Sequence, residues 1–585
     1  MRLDLDSLRG SVLTDAGISV PTFDVERMRS QAHDHPRWMH IGPGNLFRVH
    51  IARLAQDVMN SGAEQCGVAV VAQRSPQRLD RGLGDHDLLT LGVTSHADGH
   101  TDFGAIASIS EGLAYRRTDD FRRITGIACA DSLQLITLTI TEKGYQLTGY
   151  DGSFQDAVVE DLGRDPMTDA MSTTMALLAA LLVQRSHAGA TPVALVSCDN
   201  FSHNGDELRT SVLTIAEEWE KRGTIDHEVV EWISEKVAFP ISVIDKITPA
   251  PSQKVADQLA SMGFEDMSID PDAGVAGFVN TEPAEYLVIE DCFPNGRPEL
   301  EKAGVHFTDR DTCDRFERMK VTTCLNPLHT ALAVTGVLLR KPTIDEAIKN
   351  PGLAGLVHRL GWQEGIPVVS DPGIVDPKEF LREVEEERFP NAFLGDTPSR
   401  IATDSSQKIP IRFGETIKSY LADDSLDVAS LRAIPFILAA WCRYLMGIAD
   451  DGKPVELSPD PLLDDLKPVV AGVHLGDEDP KAITPILRRA AIFGVDLTTT
   501  PLAELVEQFF IRLTAEPGAV RRFWTRSSHN HEDDISVVRS GNRSHHPAKY
   551  PSDSRNQRNH GSNGLDSGRR GVVRGGDFLL RPEGQ

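Results

Sequence analysis

What this chain lacks narrows it first. Its seven cysteines (Cys66, Cys129, Cys198, Cys292, Cys313, Cys324, Cys442) are scattered and never form a Cys-x-x-Cys pair. That argues against a disulfide framework and for reduced thiols in a cytoplasm. There is no His-Glu-x-x-His and no close Cys/His set, so no metal site is expected. No Gly-x-Ser-x-Gly elbow is present, which removes the usual serine-hydrolase signal. The apolar runs 175–183 and 331–339 fall well short of the roughly 20 residues of a membrane span, and read as buried helices. The start, Met-Arg-Leu-Asp-Leu-Asp, carries no apolar signal-peptide core. Positive charge is also scarce: 60 Lys and Arg against 86 Asp and Glu leave a formal charge of −26. The body is therefore unsuited to nucleic acid or an anionic membrane.

What is present is a long chain of ordinary globular composition, 585 residues with 40% hydrophobic residues. That length exceeds one hydrophobic core, so at least two folded domains are expected. Residues 1–36 read as a leader with a few weak helical turns. From 37 to 306, apolar strand-like runs alternate with helical patterns. Strands are expected at 38–41, 67–72, 133–139, 193–197, 241–243 and 286–289, with helices at 46–59, 166–185, 206–221 and 228–237. Strand, glycine turn, helix, strand is the first unit of a doubly wound sheet. From 307 to 525 only helical patterns remain, at 311–339, 377–387, 411–422, 425–446, 483–493 and 502–513. Residues 526–585 are rich in Ser, Asn, His, Gly and Arg with few apolar residues, and read as a disordered tail. The expected fold is thus an α/β Rossmann-like N-terminal domain, an all-helical C-terminal domain and a tail.

Polar islands interrupt this pattern. The loop Gly42-Pro-Gly44-Asn45-Leu-Phe47-Arg48 comes after a strand and opens a helix, as a dinucleotide-binding turn does, with Phe47 at the third glycine position. The second strand ends in Gln73-Arg74-Ser75, without the acid that would read a ribose hydroxyl, so NAD and NADP both stay open. Asp199 and Asn200 come after another strand, at the sheet edge where ligands bind. Asp245 and Lys246 close the run Phe239–Ile244, and Arg400 and Lys408 lie in a helical region. In 316–330, Lys320, Asn326 and His329 stand in an otherwise apolar segment. A lysine, a carboxamide and an imidazole are what a metal-free alcohol dehydrogenase needs: a base and an oxyanion hole.

These islands together resemble the polyol-specific long-chain dehydrogenases, the mannitol dehydrogenase family. The matching segments are 39–50, 139–145 (Thr-Ile-Thr-Glu-Lys-Gly-Tyr), 197–200, 239–249, 288–291, 320–329 and 400–408, in order. The resemblance implies a metal-free, NAD- or NADP-dependent enzyme that interconverts polyols or aldonates with ketoses or ketouronates. The leading pair is D-mannitol with D-fructose, and the alternative is D-mannonate with D-fructuronate. It implies Lys320 as general base, with Asn200, Asn326 and His329 on the reacting oxygen. Asp245, Arg400 and Lys408 would contact other hydroxyls or tune the lysine. Gly42, Gly44, Asn45, Phe47, Arg74 and Asp199 would hold the nucleotide. A small-molecule partner and a monomer or weak homo-oligomer complete the picture. A non-catalytic dinucleotide-binding protein is the rival of another class.

One departure makes a structural demand. The family commonly separates the lysine and asparagine by five positions; here the separation is six. On an ideal helix of 3.6 residues per turn, Lys320 and His329 would point to opposite sides. The spacing predicts a one-residue bulge between Lys320 and Asn326, helped by Pro327, which has no N–H.

Overall fold

The computed structural model describes residues 1–527 except Tyr150 and Pro480. The expected disordered tail lies, from residue 528 on, outside the described residues. Eleven strands run in chain order: β1 (Trp38–Ile41), β2 (Val68–Ala72), β3 (Thr90–Ser95), β4 (Thr101–Ile106), β5 (Ile109–Ala114), β6 (Leu135–Leu138), β7 (Ala194–Ser197), β8 (Ser242–Asp245), β9 (Phe278–Thr281), β10 (Tyr286–Glu290) and β11 (His306–Thr308). The central sheet has the order β5-β2-β1-β6-β7 and is parallel throughout. Two small sheets, β4-β3-β9 and β11-β10-β8, flank it.

Burial on both faces explains the continuous apolar strands. Met39, Ile41, Ala69 and Val71 pack against the helices Thr174–His187 and Asn204–Lys221. Trp38, Val68 and Val70 face the other way, toward Phe47, Leu54 and Val58. The glycine loop follows the carboxyl end of β1, residues 199 and 200 follow that of β7, and Asp245 ends β8.

Beyond residue 308 the described residues hold helices and no further named strand. The segment Arg310–Leu338 is long and apolar enough to cross a membrane by composition, yet 78% of its most apolar window is buried inside the protein. Arg310 ties it to the strand domain through Asp206 (2.8 Å) and Glu290 (3.2 Å).

Several expectations need correction. Strands β3, β4, β5 and β9 carry Gly, Asp, Glu and Asn, which masked them. The helix expected from residue 166 starts at Thr174, because the Asp161 carboxylate accepts from Ser172 and Thr173 N–H (2.7 Å each) and holds the preceding segment in turns. The helix expected from 425 starts at Ala433, where the buried Glu364 carboxylate accepts from the N–H of Arg432, Ala433 and Ile434 (2.7–2.9 Å). Residues 483–493 form two short helices, Thr484–Leu487 and Ala490–Phe493.

The 1–36 segment is no loose leader. Leu3, Leu13, Ile18 and Met28 are buried in one core with Leu91, Val93 and Phe278, and Ser19 bridges to Phe103 and Ala105. Leu13→Ala should therefore lower stability by about 2–5 kcal/mol, read as a shifted denaturant midpoint. An unchanged midpoint would return the segment to the status of an appendage.

Candidate active site

The backbone around Lys320 decides the site. Met319–Cys324 forms a π-helical turn, with Leu325 N–H donating to the Lys320 carbonyl at 3.1 Å. Leu325 then leaves helical geometry (φ −130°, ψ −65°), and a new helix runs Asn326–Leu338 with Pro327 in its first turn. The extra residue is absorbed there. Lys320, Asn326 and His329 consequently line one cavity of about 170 Å³, together with Asn200, Asp245, Arg388, Phe389, Asn391, Asp396 and Arg400.

Lys320 is fully enclosed. Its ammonium donates to the Ile244 carbonyl (2.9 Å) and to Asn200 Oδ1 (3.2 Å), and lies 3.5 Å from Asp245 Oδ1. Burial lowers its pKa, Asp245 opposes that, and Arg388 reinforces it. Arg388 is clamped between two carboxylates. It donates to Asp245 at 2.6 and 3.1 Å and to Glu282 at 3.0 and 2.9 Å. Burial works against the Asp245 carboxylate, yet Arg388 and Lys320 outweigh it and hold its pKa at about 2. Burial pushes His329 down to about 3, with Arg412, Arg388, Arg400 and Lys408 adding to the effect, so it is a neutral imidazole across the functional range. Its Nε2 lies 3.7 Å from Asp396.

The nucleotide end is built on glycine. Gly42 has φ +114°, and a Cβ there would stand 2.4 Å from the Thr139 carbonyl oxygen. Gly44 faces open space, which a pyrophosphate could approach. Asn45 donates to the Pro249 carbonyl (3.0 Å), tying this loop to the one after Asp245. These residues fit a dinucleotide. Arg74 is exposed at the end of β2. Among the described residues, no group of three or more His, Cys, Asp or Glu is arranged to hold a metal.

Comparison with known proteins matches this architecture. Residues 36–302 match the family model described as the mannitol dehydrogenase Rossmann domain, and 312–515 its C-terminal domain. The chain belongs to the mannitol dehydrogenase family. It is an NAD(P)-linked oxidoreductase of the polyol and sugar-acid class. It is 44% identical to the D-mannonate oxidoreductase of Thermotoga maritima over 89% of this chain and 98% of that protein. It is 31% identical to the mannitol 2-dehydrogenase of Aspergillus fumigatus, over 85% and 93%. The Pseudomonas fluorescens mannitol 2-dehydrogenase, solved with NAD and D-mannitol, superposes with a TM-score of 0.65 at 26% identity, covering 90% of this chain and all (100%) of that one. A substrate-free D-sorbitol dehydrogenase shares the fold (TM-score 0.72, 24% identity, 87% and 97% covered).

For this family member, three expected contacts need correction. Phe47 is buried and stacks on the neutral His40 ring (centroids 4.2 Å apart), so it supports the glycine loop from beneath. The Asp199 carboxylate is saturated by the N–H groups of Ile140 and Thr141 and by the Tyr145 hydroxyl (2.7 Å), so it anchors the 140–145 loop. Lys408 is absent from the cavity lining and donates to the Ile401 and Thr403 carbonyls. Arg400 lines the cavity but pairs with Asp396, and the cation nearest the lysine's carboxylate partner is Arg388. Sequence reasoning missed Arg388 and Glu282. Arg388 ends the run Glu383-Val-Glu-Glu-Glu-Arg388, which reads as a solvated face until a π-helical turn at Val384–Arg388 rotates it inward.

This clamp generates opposite pH shifts. Asp245→Asn removes the charge that keeps the Lys320 proton on, so the acid limb of the oxidation profile should move to lower pH. Arg388→Met leaves Asp245 and Glu282 uncompensated and should move it to higher pH. Each limb should move by roughly one pH unit or more, measured as kcat/KM against pH. Movement of both in the same direction would dismiss the clamp as the tuning device.

Proposed function

We propose that this enzyme interconverts D-mannonate and D-fructuronate, in a cytoplasm, with Lys320 as general base. The 44% identity across 98% of a D-mannonate oxidoreductase is the observation that carries this reading. The D-mannitol and D-fructose pair has the weaker support, 31% identity to a mannitol 2-dehydrogenase. The seven free cysteines are consistent with a reducing compartment.

The chemistry is that of the chain's own groups. A substrate hydroxyl at the cavity floor gives its proton to neutral Lys320 Nζ, which Asn200 and the Ile244 carbonyl hold in place. The Asn326 amide and the neutral His329 ring line the same cavity and can donate to the alkoxide. Gly42, Gly44 and Asn45 would hold the dinucleotide, which when bound would supply the acceptor for the hydride of the carbinol carbon. Burial of Lys320 keeps bulk water from competing at its amine.

The test is absorbance of reduced nicotinamide with D-mannonate and D-mannitol, each with NAD and NADP. Turnover of mannonate in preference to mannitol is expected, and mannitol alone would overturn the reading. Lys320→Ala should lower kcat roughly 10²- to 10⁴-fold with nucleotide affinity retained; a wild type without turnover would favour a non-catalytic binder. Oxidation needs the neutral amine and reduction the ammonium. Oxidation should therefore rise with pH and level off below the ordinary lysine value of about 10.4, while reduction falls over the same range.

The cofactor choice is tested at Arg74. Its guanidinium stands exposed, with no acid at the strand end to compete. Arg74→Ala should raise KM for NADP and leave that for NAD unchanged; equal effects on both would remove Arg74 from cofactor selection.

A further inference from the structure

A second acid in the cavity wall has half of its carboxylate unspent. Asp345 stands in the first turn of the short helix Ile344–Ile348 and lines the cavity, with 6% of its surface exposed. Its Oδ2 accepts from Lys349 at 3.0 Å, and among the described residues its Oδ1 takes no hydrogen bond. No described backbone N–H donates to this carboxylate either, so it does not cap its own helix. Lys349 lies outside, its side chain 54% exposed and shared with Glu346 (2.7 Å), and so offsets only part of the buried charge.

The polar neighbours in the wall are occupied. Asn391 donates to the Ser95 carbonyl (2.7 Å) and accepts from Phe393 N–H (3.0 Å). Asp245 and Arg388 hold each other. Asp396 pairs with Arg400 through Oδ1, and its Oδ2 lies 3.7 Å from His329. The Ile344 N–H donates to the Asp396 carbonyl at 2.9 Å, which sets Asp345 on the Asp396 side of the cavity. There its ion pair is with Lys349, and neither Lys320 nor Arg388 reaches it. A buried carboxylate oxygen left open is costly. A hydroxyl donor offsets that cost with a charge-assisted hydrogen bond, whereas a second carboxylate would add to it.

We propose that Asp345 is a specificity-determining residue, whose carboxylate accepts from a hydroxyl of the sugar chain remote from the reacting carbon. This assignment rests on the reading of the cavity as the substrate site, and it holds for an aldonate and a polyol alike, since both carry such hydroxyls. The groups around Lys320 read one carbinol; Asp345 requires a second hydroxyl on the same chain. Simple secondary alcohols, and chains without that hydroxyl, would leave its oxygen buried and unpaired, and so be rejected.

The test compares wild type, Asp345→Ala, Asp345→Asn and, as a control for the ion pair, Lys349→Met. Readouts are kcat and KM for D-mannonate, KM for the nucleotide, and kcat/KM for deoxy-D-mannonates that each lack one hydroxyl away from the reacting carbon. Asp345→Ala should raise KM for D-mannonate roughly 10- to 100-fold, the loss of a hydrogen bond to a charged group, with kcat moving far less and nucleotide KM unchanged. Asp345→Asn keeps an acceptor oxygen and should recover part of the loss. Wild type should discriminate against one deoxy analogue, and Asp345→Ala should lose that discrimination. An unchanged KM in an active Asp345→Ala enzyme overturns the assignment. So does an equal rise in Lys349→Met, which would mark the carboxylate as a helix ion pair and no more, and so does equal discrimination by wild type and Asp345→Ala. A wild type that turns over D-mannitol but not D-mannonate overturns the sugar-acid reading alone, and the same variants with D-mannitol then decide the hydroxyl contact. A wild type that turns over neither overturns both.

Discussion

The site depends on one constraint: a lysine that must be buried to become a base, held among charges that would otherwise keep it an acid. Enclosure alone would destabilise the ammonium and empty the position of any reason to fold around it. Asp245, 3.5 Å away, makes burial tolerable but raises the lysine's pKa. Arg388 resolves the conflict by sharing Asp245 and drawing a second carboxylate, Glu282, into the cluster. Two cations and two carboxylates then neutralise one another, and the lysine can lose its proton without leaving the cluster far from balance. Such a cluster is a costly way to gain stability, because every member has been stripped of water. Its value is in where it leaves the Lys320 proton.

The backbone devices that aim these groups share a form. Five π-helical segments occur among the described residues: Phe47–Ile51, Met319–Cys324, Arg359–Gly365, Val384–Arg388 and Pro410–Gly414. Each carries a polar residue that the structure uses. Arg48 bonds to Thr90 and the Ala276 carbonyl beneath the glycine loop. Lys320 is the proposed base, Glu364 caps the helix at Ala433, Arg388 bridges Asp245 and Glu282, and Arg412 bonds Thr330. A π turn inserts one residue into a helix and rotates the later residues around the axis. It can place a polar side chain inward without giving up the apolar face on either side.

That form also explains what the sequence could and could not disclose. Four of the five parallel strands, β1, β2, β6 and β7, were legible because burial on both faces leaves runs such as Val68–Ala72 with no polar residue, while Glu111 and Gly112 hid β5. Lys320, Asn326 and His329 were legible because polar residues in an apolar segment stand out, and their odd spacing exposed the bulge. Arg388 was hidden by the opposite circumstance, a charge among charges, whose inward turn depends on a helix irregularity that periodicity arguments assume away. Glu282 and Asp199 show a second limit. Both are acids just past strand ends, yet one completes an ion cluster and the other is consumed by loop amides. Only the three-dimensional neighbours decide which.

The division of labour in the cavity reflects the chemistry of its two sides. Lys320, Asn200, Asn326 and His329 can recognise a secondary alcohol and nothing more, since any carbinol offers the same oxygen, proton and hydride. Those groups cannot separate a polyol from an aldonate. Discrimination must come from residues facing the rest of the substrate, and there the decisive property is uncompensated charge. A cation already paired, as Arg400 is with Asp396, must exchange one carboxylate for another and gains little by doing so. The reacting side therefore accounts for the reaction class, while selection between neutral and acidic substrates belongs to the residues facing the rest of the substrate.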